Sequence, residues 1–407
     1  MRTFNVPQHF KSEIIAKVKK ARQLQDPSKK DFSPTKLNFG KVTFWLARHF
    51  GFCYGVENAI ERAYNAIEKY PDKRIFFLSE MIHNPIVNAD LKEKGIDFLM
   101  DTKGNQLISW DTITQNDVVL IPAFGTTLKQ KERLNKIGLL VEEYDTTCPF
   151  VSKVWNRSQK IAQKGFTIIV HGKPYHEETK ATFSHAAANG ATLIVKNMEE
   201  TILLADFIQG KKPITQFWNY FKGRTSESFD PKIHLDKLGV VNQTTMLAED
   251  TRGIAQFLKA TLAKQFGIEN IKEHFADTRD TLCYATNDNQ TATYHLLEQA
   301  NADIAFVIGG YNSSNTSHLV ELCEEKMPTY FISSAKEIES ETLINHFDLK
   351  SHSIKTTTNF LPQSPCNIII TSGASCPDTL LEEVMMKLLS FYQTEVDVEM
   401  VLKQSLS

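Results

Sequence analysis

The chain has 407 residues, 42% of them hydrophobic and 23% charged, with a formal net charge of −2. That length exceeds one ordinary hydrophobic core and points to two or three domains. The near-neutral balance supplies no basic stripe for nucleic acid, and no apolar run reaches the length of a membrane span. The first residues mix Lys, Arg, Asp and Glu without a hydrophobic stretch, so neither a secretory signal nor a transit peptide is expected and the cytoplasm is the default.

Residues 1–40 are polar, with a short helix predicted over 12–25 and breaks at Asp26-Pro27-Ser28 and Ser33-Pro34. They read as an appended segment that packs on the body or stays mobile. A first strand is predicted over 42–47. It runs into Phe50-Gly51-Phe52-Cys53-Tyr54-Gly55-Val56 and a helix with Val56, Ala59, Ile60, Ala63, Tyr64 and Ile67 on one face. Strand 74–78 ends near His83-Asn84-Pro85, and a helix follows over 87–94. Strand 117–121 opens into Pro122-Ala123-Phe124-Gly125-Thr126-Thr127, and a polar helix runs on to Gly138. The apolar run from Leu139 to Val141 predicts a strand before Asp145-Thr146-Thr147-Cys148-Pro149. Pro149 suits the first turn of a helix, which places Cys148 at a helix N-terminus.

The scheme then repeats. Strand 166–170 empties into His171-Gly172-Lys173-Pro174-Tyr175-His176-Glu177-Glu178-Thr179, strand 191–195 follows, and strand 238–241 ends at Gln243-Thr244-Thr245. Residues 201–236 are aromatic and charged without a clean period. A helix over 248–265 leads to Asp280-Thr281-Leu282-Cys283-Tyr284. Strand 304–308 ends in Gly309-Gly310-Tyr311-Asn312-Ser313-Ser314-Asn315. Strand 367–370 ends in Thr371-Ser372-Gly373-Ala374-Ser375, before a last helix over 378–392 and a polar tail. Strands alternating with helices predict an α/β fold with small parallel sheets, whose ligands gather in the loops after the strands. Four segments follow: an extension over 1–40, a first α/β unit over 41–147 completed by 376–407, a second over 148–281 and a third over 282–375.

Six cysteines without a CxxC pair are neither a disulfide framework nor a zinc ribbon. Cys53, Cys148 and Cys283 each precede a helix, one per α/β unit, and three similar units around a common centre would bring them together. Three thiolates suit an iron–sulfur cluster with one iron left open as a Lewis acid, and zinc with a bound water is the competing metal. Cys323 and Cys366 read as packing, and Cys376 lacks an equivalent partner. Ser313, Ser314, Asn315 and Ser375 are short donors beside glycine-bearing turns, and with His83 and His176 they suit a phosphate or diphosphate. Taken singly, each of these serines also reads as a helix cap. Of Glu177 and Glu178 one is expected to face the site and the other to be solvated. Thr244 and Thr245 could pass a proton.

In the order in which they occur, Cys53-Tyr54-Gly55, His83-Asn84-Pro85, Asp145-Thr146-Thr147-Cys148-Pro149, His176-Glu177-Glu178, Gln243-Thr244-Thr245, Cys283-Tyr284-Ala285-Thr286, Asn312-Ser313-Ser314-Asn315 and Ser372-Gly373-Ala374-Ser375-Cys376-Pro377-Asp378 resemble the 4-hydroxy-3-methylbut-2-enyl diphosphate reductases, the IspH or LytB family, in their longer plant and cyanobacterial form. The resemblance spans about residues 42–387. It implies three α/β units in a trefoil around one 4Fe–4S cluster held by Cys53, Cys148 and Cys283, whose open iron binds the substrate hydroxyl. It implies reductive removal of that allylic hydroxyl with two electrons and protons, giving isopentenyl and dimethylallyl diphosphates, with ferredoxin or flavodoxin as electron donor. Glu178 then matches the proton donor, assisted by Thr244. His83, His176, Thr244, Thr245, Ser313, Ser314, Asn315 and Ser375 match the substrate site. One departure stands out: Phe124 replaces the histidine of the short form's Ala-His-Gly motif, and His171, Lys173, Thr126 or Thr127 are candidates to compensate. A non-redox hydro-lyase with an open-iron cluster and a non-enzymatic iron–sulfur sensor or carrier are the competing functions.

Overall fold

The computed structural model describes residues 4–139, 141–276, 281, 283–393 and 397–406. It is α/β with small parallel sheets, as the alternation of elements predicted. The chain divides into two compact units. One holds the residues up to Glu61, His83–Val87 and those from Tyr284 onward, and the other holds Arg62–Ile82 and Asn88–Cys283.

The first unit is built on a five-stranded sheet in the order Thr35–Asn38, Val42–Leu46, Cys366–Ser372, Ile304–Ile308, Thr329–Ile332. Its first pair is antiparallel and the others are parallel. Ile304–Ile308 and the Ile368-Ile369-Ile370 run are buried throughout, the unbroken apolar pattern of central parallel strands covered on both faces. Val42–Leu46, expected in the first sequence segment, pairs with Cys366–Ser372, so strands of the first and third segments share one sheet. A separate hairpin, Leu343–Asp348 with Ser353–Thr358, was not expected.

The N-terminal extension is part of this unit's body. Ser12 caps the helix Glu13–Gln25 by accepting from the Ile15 N–H, and Ile15 and Val18 are fully buried. Ser12 hydrogen-bonds Glu382, and Lys19 contacts both carboxylate oxygens of Asp378 at 2.7 and 2.9 Å. The C-terminal stretch read as a polar tail contains a helix, Val398–Leu406, whose Val401 and Leu402 join the same core.

The second unit carries two three-stranded parallel sheets. One is ordered Ile96–Phe98, Ile75–Phe77, Val118–Leu120 and the other Thr192–Val195, Thr167–His171, Leu238–Asn242. Among the described residues, the strand expected before Cys148 is not seen. Val141 begins a turn, Leu140 lies outside the described residues, and a single bridge pairs Ile121 with Asp145. Residues 201–236 resolve into short elements, with the helix Phe217–Phe221 anchored by Phe217, Phe221 and Phe229 in a core with Phe207 and Leu204. No helix among the described residues is long and apolar enough to cross a membrane.

Candidate functional site

In the first unit the candidate residues cluster at the C-terminal ends of the central strands. Cys53 stands immediately before the helix Tyr54–Lys69 and its carbonyl accepts from the Glu57 N–H at 3.0 Å. Gly51, at φ +77°, makes the turn into it, and a Cβ there would strike the Lys19–Asp378 pair. The Cys53 N–H donates to the carbonyl of Ala374 (3.1 Å), and the Ala374 N–H donates to Oδ1 of Asn315 (2.9 Å). One backbone unit therefore ties a candidate cluster ligand to the candidate anion cradle.

Ser313 caps the helix Ser314–Glu324, accepting from the N–H and hydroxyl of Thr316 at 3.3 and 3.0 Å. Ser314 and Asn315 are buried in its first turn, and Nδ2 of Asn315 is a buried donor with no partner among the described residues. Such an orphan is costly in an apolar setting and suits a site that receives an anion. The Ser375 hydroxyl donates to the His83 carbonyl at 3.2 Å, and Gly310 leaves room for that same carbonyl, which a side chain would displace. Burial pushes the His83 imidazole down to about 4, so it is neutral at pH 7 and offers a hydrogen bond but no charge. The first unit thus brings together Cys53, His83, Ser313, Ser314, Asn315 and Ser375.

In the second unit Cys148 is the N-cap of the helix Pro149–Ala162, with Pro149 in the first turn. Its N–H donates to the Ala123 carbonyl (2.8 Å), and Thr146 fixes the approach by donating its N–H to the Ile121 carbonyl (3.1 Å). Asp145 accepts from the Thr147 N–H and lies 3.3 Å from Lys131. Gly125 is pressed against the Trp155 indole, which stacks on His185 at 3.7 Å, and His185 Nε2 lies 3.2 Å from the Thr126 carbonyl. The loop after Val118–Leu120 is thereby locked in the position that receives Cys148.

The candidate acid and its neighbouring threonines are in the same unit. His176 caps the helix Glu177–Ala187, its Nδ1 accepting from the Glu178 N–H at 3.2 Å, which leaves the ring proton on Nε2. Glu178 is 2% exposed, and its Oε1 accepts from the Thr244 N–H. Burial pushes its carboxyl up to about 7, against the opposing pull of the Thr244 hydrogen bonds. Gln243 joins the two strand ends, accepting from the Thr179 hydroxyl (2.9 Å) and the Lys173 N–H (3.1 Å) while its amide donates to Thr245 (2.6 Å). Thr244 and Thr245 thus sit beside Glu178 on a rigid loop. Glu177 is not solvated as expected. It is half-buried, hydrogen-bonded to Ser79, and pushed up to about 8 by burial.

The candidates to replace the absent histidine fare unevenly. Phe124 is buried, the Thr126 hydroxyl donates to Gln130 (2.6 Å), Thr127 caps the helix Leu128–Ile137, and His171 is buried with Nδ1 2.8 Å from the Thr251 hydroxyl. Lys173 and Thr127 are half-buried, and the Thr127 hydroxyl is already engaged as a helix cap.

Cys283 is buried and immediately precedes the helix Tyr284–Gln299, and the residues 277–280 and 282 before it lie outside the described set. Within either unit, no three described His, Cys, Asp or Glu side chains are placed to hold a metal ion. The six cysteines nevertheless sort cleanly. Cys53, Cys148 and Cys283 stand at helix N-termini, where the positive end of the macrodipole favours a thiolate. Cys323, Cys366 and Cys376 are buried in the first unit's core. Burial drives all three thiols upward, Cys323 to about 12, so they stay protonated. The roles of Ala374, Ala123 and Asn289 (3.5 Å from Asn315) were invisible in the sequence, because the first two act through the backbone and Asn289 through a contact made in the folded chain.

The LytB protein family model matches residues 44–389. A 4-hydroxy-3-methylbut-2-enyl diphosphate reductase of Synechococcus sp. (strain WH7803) is 40% identical over 356 residues, covering 87% of each chain. The protein of the same name from Crocosphaera subtropica is 40% identical over 350 residues, covering 86% of this chain and 85% of its own. Two solved structures share the fold. One is (E)-4-hydroxy-3-methyl-but-2-enyl diphosphate reductase, the terminal enzyme of the non-mevalonate pathway, with TM-score 0.52 and 23% identity over 86% of this chain and 99% of that one. The other is the E-1-hydroxy-2-methyl-but-2-enyl-4-diphosphate reductase of Plasmodium falciparum, with TM-score 0.61 and 22% identity over 85% and 87%.

Proposed function

Because the chain belongs to the LytB protein family, we propose that it is the terminal reductase of the non-mevalonate route, acting on 4-hydroxy-3-methylbut-2-enyl diphosphate. The allylic hydroxyl leaves as water, two electrons and two protons are consumed, and isopentenyl and dimethylallyl diphosphates are formed. The observation that carries this reading is Glu178, a buried carboxylic acid poised near neutrality and fixed by Thr244.

The cofactor we assign is one 4Fe–4S cluster held by Cys53, Cys148 and Cys283. The donor set supports this, since these are the cysteines at helix N-termini and the other three are core thiols. When bound, the cluster would supply electrons one at a time and an open iron as a Lewis acid. Glu178, protonated below about pH 7, delivers the proton that turns a poor hydroxide leaving group into water. Thr244 holds that carboxyl in place, and Thr245 braces the loop through Gln243. His83, His176, Ser313, Ser314, Asn315 and Ser375 hold the diphosphate, with the Asn315 amide as a ready donor. Three α/β segments arranged as a trefoil would bring these two groups of residues onto one substrate. The electron donor is a ferredoxin or flavodoxin, and the working compartment is the cytoplasm, where thiols remain reduced.

Anaerobic reconstitution followed by turnover of the diphosphate tests this. Stoichiometric oxidation of a reductant with product formation is expected. Water loss without reductant consumption would replace the reductase with a hydro-lyase.

A further inference from the structure

The helix that Cys148 caps, Pro149–Ala162, carries Lys153, Arg157 and Lys160 and no acidic residue, in a chain whose net charge is −2. Its inner face is buried through Val151, Val154, Ser158 and Ile161. Its outer face lines a groove of about 540 Å³ formed by Thr147, Pro149, Ser152, Lys153, Asn156, Arg157 and Lys160. The spacing 149, 152, 153, 156, 157, 160 is one helical face, and Lys153 and Lys160 are exposed. From Lys153 to Lys160 the stripe extends about 10 Å at 1.5 Å per residue, longer than a phosphate and suited to a macromolecular surface. The N-terminal end of the groove reaches Thr147, next to Cys148.

We propose that this groove is the docking surface for an acidic one-electron carrier protein, seated so that its electrons enter at the Cys148 end of the helix. The inference rests on the reductase reading, which requires a reductant. Charge complementarity selects the occupant: a basic stripe beside a candidate cluster ligand raises the encounter rate of an acidic partner and sets its orientation. Two encounters each oxidise a carrier by one electron, and with two protons they balance the conversion of the hydroxyl to water.

The test uses the reconstituted protein, its K153E/R157E/K160E and K153Q/R157Q/K160Q variants, and a 2Fe–2S ferredoxin of net negative charge. Binding of oxidised ferredoxin is measured by calorimetry at low and high salt, and turnover is measured with reduced methyl viologen. The wild-type protein should bind ferredoxin with an affinity that falls as salt rises. The charge-reversed variant should lose at least about tenfold in affinity, and the neutral variant an intermediate amount. Viologen-driven turnover of both variants should stay within about twofold of wild type. Equal affinity in all three proteins would overturn the proposal, as would an equal loss of viologen-driven turnover. Absence of viologen-driven turnover in the reconstituted wild type would sink the reductase reading instead, and the docking surface would still be judged on the binding isotherms.

Discussion

Replacing Glu178 with Gln separates the electrostatic cost of this residue from its chemistry. Burial raises its carboxyl from the ordinary 4.5 to about 7. A carboxyl whose folded pKa is raised contributes stability that is complete below its unfolded pKa and disappears as pH rises through the folded one. The window here is therefore about pH 4.5 to 7. Linkage over the full shift amounts to about 3 kcal/mol, and about 1 kcal/mol of it is lost between pH 6 and pH 8. Glu178→Gln removes the ionisable group, keeps the shape, and lacks this loss. Urea denaturation of both proteins at the two pH values should show the variant gaining about 1 kcal/mol on the wild type between pH 6 and pH 8. Contributions from Glu177 and other groups common to both proteins cancel in that difference. Turnover by the wild type should decline as pH rises through 7, and the variant should lose about 10²-fold or more while keeping its cluster. Parallel stability profiles for the two proteins would refute the assignment of Glu178 as a buried, neutral acid.

Other consequences follow from individual contacts. Lys19→Ala should cost about 1 kcal/mol or less in thermal unfolding, because its pair with Asp378 is partly exposed, and Gly51→Ala should cost more, because the left-handed turn before Cys53 packs on that pair. Both should also speed loss of iron from the reconstituted protein, read as iron content after gel filtration. Asn315→Asp, which keeps an oxygen for the Ala374 N–H and removes the unpartnered Nδ2 donor, should weaken binding of the diphosphate substrate in calorimetry by about 1 to 3 kcal/mol or more. Thr126→Val should leave substrate affinity unchanged and lower stability by about 1 kcal/mol, because its hydroxyl already serves Gln130. A several-fold rise in KM would restore Thr126 as the substitute for the missing histidine.

Much of this was legible in the residues, and the gaps have physical causes. Ile304–Ile308 is an apolar run of strand length and lies where it was predicted, and the junctions at Cys53, Cys148 and Cys283 precede helices as expected, from the apolar face beginning at Val56 in the first case and from Pro149 in the second. Leu139 and Val141 are equally apolar and are buried, yet neither lies in a strand, so hydrophobicity alone misled there. Ile96–Phe98 is too short for a period to show, and the strand Ser353–Thr358 is largely exposed and polar, so it reads as a loop. Val42–Leu46 and Cys366–Ser372 are adjacent only in the folded sheet, and nothing local in either stretch announces its partner. The C-terminal helix was missed although Val398, Met400, Val401, Leu402 and Leu406 are apolar, because a stretch of 9 residues shows little more than two turns of a helical period. At the site, the Glu178–Thr244 contact joins two motifs visible in the sequence, whereas the Cys53–Ala374–Asn315 chain runs through a backbone amide that carries no sequence signature.

The central claim, that Cys53, Cys148 and Cys283 jointly hold one 4Fe–4S cluster that drives reduction of the diphosphate, is tested most directly on Cys148→Ser. The protein would be reconstituted anaerobically beside the wild type, and iron, sulfide and reductant-dependent turnover measured on each. The account predicts close to four irons and full turnover in the wild type, a depleted cluster and negligible turnover in the variant. A variant that retains a full cluster and full turnover would contradict it.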